Sequence, residues 1–139
     1  GERAAAAARA ALPTAEAKEA AWAAAVERGD LANALQTSTI AGFGRVHDRS
    51  LLVPFVDRYF AAIEDVWTSR TNEIAQNVVV GLYPSLLAGL TDTGVDVLER
   101  TDSWLEQAGD RHPALRRLVV ESRDGVRRAL AAQERDRSC

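Results

Sequence analysis

"LLVPFVDRYFAAIEDVW", residues 51–67, decides the fold. Leu52, Phe55, Val56, Tyr59, Phe60 and Ile63 fall at i, i+3, i+4, i+7, i+8 and i+11. That is the period of a helix with one buried stripe, and Asp57, Arg58 and Glu64 take the opposite side. Pro54 belongs in the first turn, where its missing N–H costs nothing. No stretch of the chain alternates apolar and polar residues cleanly, so the expectation is an all-α protein.

Working outward, the next stretch, "SRTNEIAQNVVVGLYP" (69–84), predicts a second helix. Ser69 or Thr71 can cap it and Glu73 favours its positive end. Ile74, Ala75, Val78, Val79, Gly81 and Leu82 wrap around more than one face, which implies packing on several neighbours, with the Val78-Val79-Val80 run at mid-helix. Pro84 ends it. Upstream, Glu2 to Leu12 is an alanine-rich helix stopped by Pro13. Thr14 caps a helix through Arg28, anchored by Trp22 and Val26, with Gly29 as its C-terminal cap. Asp30 caps a third helix, Leu31 to Gly42, with Leu31, Ala34, Leu35, Ser38 and Ala41 on one face. Downstream, Thr93 to Gln107 carries a stripe of Val97, Leu98, Thr101, Leu105 and Ala108, with Trp104 at its flank and Gly109 as its stop. A last helix begins at Pro113, aligns Leu115, Leu118, Val119, Ser122, Val126, Ala129 and Leu130, and is expected to fray over 134–139.

The expected architecture is therefore about seven helices in antiparallel pairs. Trp22, Trp67 and Trp104 recur near the period of two-helix repeats, roughly 40 residues. A stacked α-superhelix of HEAT-like type is preferred to a closed bundle. The 139 residues read as a single helical domain, and the lack of any Met reads as an excised segment of a longer chain, with residues 1–12 as a helix from the preceding part.

Composition narrows the function. A net charge of -3 gives no general attraction for phosphate backbones, and the arginine pairs 116–117 and 127–128 read as solvated helix faces, so nucleic acid is not expected as a partner. No run of 18 apolar residues occurs, so no membrane span is expected. The single cysteine, Cys139, cannot form an intrachain disulfide, which fits a reducing cytoplasm.

Catalytic signatures are missing. His47 and His112, the two histidines, stand far apart in predicted loops and lack the close pairing of a zinc site. No serine sits in a nucleophile elbow. "GFGR" (42–45) has glycines without the strand or third glycine of a phosphate loop. Glu64 and Asp65 diverge on a helix, and Asp92, Asp96 and Glu99 read as a solvated helix start. One cluster stands out: Arg70, Asn72, Glu73 and Gln76 at the polar head of the valine helix. It reads as caps and a buried hydrogen-bond network fixing helix packing, or as the polar lining of a peptide-sized cavity.

"PTAEAKEAAWAAAVERGDLANALQTSTIAGF" (13–43), "LLVPFVDRYFAAIEDVWTSRTNEIAQNVVVGLYP" (51–84) and "ERTDSWLEQAGDRHPALRRLVVESRDGVRRALAAQ" (99–133) together resemble the C-terminal helical domain of the bacterial aminopeptidase N family. These gluzincin zinc aminopeptidases share that domain with the endoplasmic-reticulum aminopeptidases. The family's H-E-x-x-H-x18-E zinc motif and G-x-M-E-N motif do not occur here, so no catalytic or metal residue carries over. The resemblance implies a parent hydrolase that removes N-terminal residues from peptides with zinc-activated water. It implies for this chain a non-catalytic, cofactor-free solenoid that caps the catalytic domain of the same polypeptide and shapes the chamber peptides enter. The local polar cluster alone, Arg70, Asn72, Glu73 and Gln76, is then the expected chamber lining, with Arg70 attracting a peptide's C-terminal carboxylate and Glu73 orienting it. Cut free, such a domain exposes a face that could drive dimerisation. The competing readings are a ligand-binding and dimerisation domain of a helical transcription regulator, and a helical-repeat scaffold that recruits another protein.

Overall fold

The computed structural model describes residues 1–29 and 31–138. Among them are seven α-helices and no strand: α1 (Glu2–Ala11), α2 (Ala15–Trp22), α3 (Asn33–Phe43), α4 (Pro54–Ser69), α5 (Asn72–Gly81), α6 (Val97–Ala108) and α7 (Pro113–Ser138). A π-helical segment, Ala23–Glu27, extends α2, and short 3-10 turns at Arg49–Leu52 and Ser85–Leu87 precede α4 and follow α5. The odd-numbered helices form a row, α1 against α3, α3 against α5 and α5 against α7. The others pack on that row: α2 against α1 and α3, α4 against α5, and α6 against α4 and α7.

Helix starts follow side-chain chemistry. Thr14 Oγ1 accepts from the Ala17 amide at 3.1 Å, Thr71 Oγ1 from Ile74 at 3.4 Å, and an Asp96 carboxylate oxygen from Glu99 at 3.1 Å. Each satisfies one orphan N–H of a first turn. Pro54 opens α4 as expected, and α4 buries Phe55, Val56, Tyr59, Ile63 and Val66 while Phe60 packs at the core's edge.

Several expectations are corrected. Gly29 is not a left-handed cap: positive φ is confined to Gly89, Gly94, Gly109 and His112 among the described residues. The helix instead ends in its π turn, where the Arg28 amide bonds the Ala23 carbonyl at 2.9 Å. Asp30, expected to cap α3, lies outside the described residues, as does Cys139. The buried face of α3 is Gln36, Thr39, Ile40, Gly42 and Phe43 rather than the Leu31–Ala41 stripe. Val80 is 54% exposed, so only two of the three valines are packed. Trp104 is core, not flank. α6 begins at Val97, because Thr93 Oγ1 and the Val95 backbone bond each other in a turn. α7 continues helically to Ser138, with Glu134–Arg137 exposed. Arg116 is no solvated charge: its guanidinium donates to the Leu105 and Gly109 carbonyls at the end of α6.

Three junctions hold the helices together. Gly42 brings α3 onto α1 so closely that a Cβ there would lie 2.2 Å from the Ala7 carbonyl oxygen and 2.9 Å from the Ala10 Cβ. Only an alanine-rich α1 and a glycine permit that approach. Beside it, Lys18 of α2 is fully buried. Its Nζ donates to the carbonyls of Ala10 at 2.7 Å, Phe43 at 3.0 Å, Gly42 at 3.4 Å and Arg45 at 3.5 Å. These carbonyls close the ends of α1 and α3, where the helix dipole favours a cation. Finally Trp22, Phe43 and Phe55 pack in tilted and edge-to-face contacts with centroids 5.1–6.0 Å apart, joining α2, α3 and α4. The Arg58 guanidinium covers Phe55 at 4.9 Å and is held by Glu19 at 2.7 Å and Glu27 at 3.2 Å.

Candidate functional site

The polar head of α5 is built where the chain turns from α4 into α5. Arg70 is extended there, which lets its side chain run back across Gly29. Nη2 donates to the Val26 and Glu27 carbonyls at 3.3 Å each, and Nη1 to Ser69 Oγ at 2.7 Å. The first two acceptors are carbonyls at the end of the π segment, which lack helical partners of their own. Arg70 thus clamps the end of α2 to the end of α4.

Glu73, one turn along, accepts from Asn33 Nδ2 at 2.6 Å. Asn77 Nδ2 donates to Asn33 Oδ1 and to Gln36 Oε1, the latter at 3.0 Å. Gln36, itself buried, donates through Nε2 to the Ala25 carbonyl at 3.1 Å. A relay of amides therefore runs from the surface carboxylate of Glu73 to the backbone inside the π segment. It links α5, α3 and the end of α2. No buried side-chain polar atom among the described residues is left without a partner, so this network is complete.

Of the four residues singled out by sequence, Arg70 and Glu73 are engaged with neighbouring helices in different directions. Asn72 and Gln76 are exposed. Gln76 lines a shallow groove of about 350 Å³ between α3 and α5, with Thr37, Ile40, Asn77, Val80 and Gly81. The partners Asn33 and Gln36, three apart on α3, escaped sequence reading because nothing local marks them. So did Lys18. The matching signal, amides at i and i+3 on α3 facing acid and amide at i and i+4 on α5, becomes visible only once the two helices are known to touch.

The arrangement offers hydrogen-bonding groups. No group of three or more His, Cys, Asp and Glu side chains that could hold a metal occurs among the described residues, so they do not fit a catalytic zinc. Asp96 is occupied as a cap, Glu99 lies 3.8 Å from Arg100, and Glu64 pairs with Arg111 at 3.0 Å. His47 is exposed, and His112 is half-buried with φ 49° immediately before α7. No helix is long and apolar enough to cross a membrane among the described residues.

Comparison with known proteins places this scaffold. The chain is 51% identical over 136 residues to the "Aminopeptidase N" of Streptomyces lividans, an alignment that covers 98% of this chain and 15% of that protein. The chain thus spans about a seventh of the relative's length. The ERAP1-like C-terminal domain family matches residues 1–128. With nearly every helix described above inside that match, the chain belongs to the ERAP1-like C-terminal domain family.

Proposed function

We propose that this chain is the non-catalytic C-terminal domain of a zinc-dependent aminopeptidase N-type enzyme, packed on the catalytic domain of the same polypeptide. The carrying observation is the 51% identity over almost the whole chain to a protein several times longer. In that enzyme the catalytic domain supplies the zinc-activated water that releases N-terminal residues from peptides, and this domain caps the chamber and limits which peptides enter. The row of odd-numbered helices with the others packed on it supports reading the chain as a segment of an α-superhelix. The lone cysteine suits a cytoplasmic enzyme.

On this reading the head of α5 contributes to the chamber wall. Asn72 and Gln76 are exposed for contact with peptide, and Glu73 keeps a solvent-facing carboxylate while bonded to Asn33. Arg70, half-buried with its guanidinium bonded to Ser69 and to the Val26 and Glu27 carbonyls, leaves a positive charge at the same turn toward which a peptide carboxylate is drawn. The test is Arg70→Ala and Glu73→Ala in the intact enzyme, with kcat/KM measured over peptides of increasing length. A changed length preference at constant melting temperature supports the wall. Unchanged length preference with lowered stability assigns both residues to packing alone. No observation favours the transcription-regulator or scaffold readings.

A further inference from the structure

An alanine-lined groove lies on the side of α2 away from α4. One side of α2 is taken by α4, through Arg58 on Glu19 and Glu27 and through Phe55 against Trp22 at 5.2 Å. Ala17, Ala20 and Ala24, at three- and four-residue spacing, lie on the other side. With Ala6 and Leu35 they line a groove of about 520 Å³ bounded by α1 and α3, and Leu12, 52% exposed, stands at its end. Helices α2, α4 and α6 each pack on the odd-numbered row, so the groove is the position beside α2 that a further member of that series would take. An alanine floor lets such a helix approach at the short end of the usual spacing, about 8 Å.

We propose that this groove is filled by a helix of the same longer polypeptide, from the residues N-terminal to α1. The relative of which this chain matches only 15% supplies the length of chain required. A helix immediately upstream is also tethered to Glu2, the first residue of α1, about one helical turn before Ala6, where α1 begins to line the groove. The proposal rests on the reading that the chain is one domain of an aminopeptidase N-type polypeptide, and it names the surface through which that domain joins the remainder. The occupant is a helix that presents an apolar stripe to the alanines and covers Leu12.

The test uses Ala20→Cys in a Cys139→Ser background, in the 139-residue chain and in the uncut polypeptide, with Gln107→Cys, exposed on α6, as the control. The rate of maleimide alkylation is measured in each. We expect Cys at position 20 to react at least tenfold more slowly in the uncut polypeptide than in the 139-residue chain, and the control at equal rates. A thiol-tethered photo-crosslinker at position 20 is expected to give adducts that map to residues preceding Glu2. Equal rates at position 20 show an open groove and overturn the proposal, while retained aminopeptidase activity of the uncut polypeptide leaves the domain reading standing. Absence of that activity counts against the domain reading itself. Slow, concentration-dependent alkylation in the 139-residue chain identifies a second copy as the occupant and overturns the proposal, as do adducts mapping elsewhere in the polypeptide.

Discussion

Lys18 is the sole lysine among 17 basic residues, and it is the one that is fully buried. An ammonium is compact and carries three donors that can diverge toward converging carbonyls, whereas the planar guanidinium fork cannot. Burial lowers its pKa. Lys18→Met leaves the carbonyls of Ala10 and Phe43 without their donor, at a cost of about 1–3 kcal/mol for each orphaned group. Lys18→Arg is expected to destabilise as well, through overpacking. Urea denaturation of both variants checks this, and an unchanged midpoint for Lys18→Met would show that water replaces the ammonium. Gly42→Ala is the companion prediction. Its Cβ meets Ala7 backbone rather than a movable side chain, so a loss of about 1–3 kcal/mol is expected. Gly81→Ala, which meets the Ile40 side chain, should lose less in the same assay.

The helices differ in how far they announce themselves. α4 was legible because its buried positions are all large and apolar at the helical period. α3 was not, because its inner face carries Gln36, Thr39 and Gly42, which a search for apolar stripes passes over. Those residues are inside for reasons that belong to other helices: Gly42 admits α1, and Gln36 satisfies a carbonyl of the π segment. The same holds at the head of α5. Its four polar residues could be picked out locally, while the assignment of Arg70 to α2 and Glu73 to α3 needed positions some 40 residues distant. Capping, by contrast, is local chemistry and is legible at Thr14 and Thr71, whereas the sequence around Asp96 reads only as a solvated acid. Asp96→Ala should cost about 1 kcal/mol, read from thermal melts, and Asp96→Asn should recover most of it.

For the whole molecule, the alkaline limb of stability is set by buried phenols opposed by Lys18. Tyr59 is completely buried and donates its hydroxyl to the Val79 carbonyl, and burial raises its pKa well above the usual value near 10. Tyr83, bonded to Thr101, is raised too, chiefly by burial. A phenol with a raised folded pKa holds its proton in the native state after the unfolded chain has lost it. Stability therefore falls as pH climbs above about 10. Lys18 contributes with the opposite sign, since the unfolded chain binds its proton more tightly up to about 10.5. With two phenols against one amine, a net decline is expected above pH 10, and Tyr59→Phe should flatten it while lowering stability at pH 7 by about 1 kcal/mol. A metal chelator should leave the melting temperature of the 139-residue chain unchanged, since its described side chains form no ligand cluster. A fall of several degrees would contradict the assignment of zinc to another domain.

The seclusion of Lys18 has a use at the bench. Because the chain holds no other ε-amine, an acylating reagent such as an N-hydroxysuccinimide ester finds no lysine on the native surface. Modification at position 18 must wait for α2 to lift away from α1 and α3. The mass gained there over time is therefore a clock for the opening of that corner, obtained from the wild-type sequence without an engineered probe.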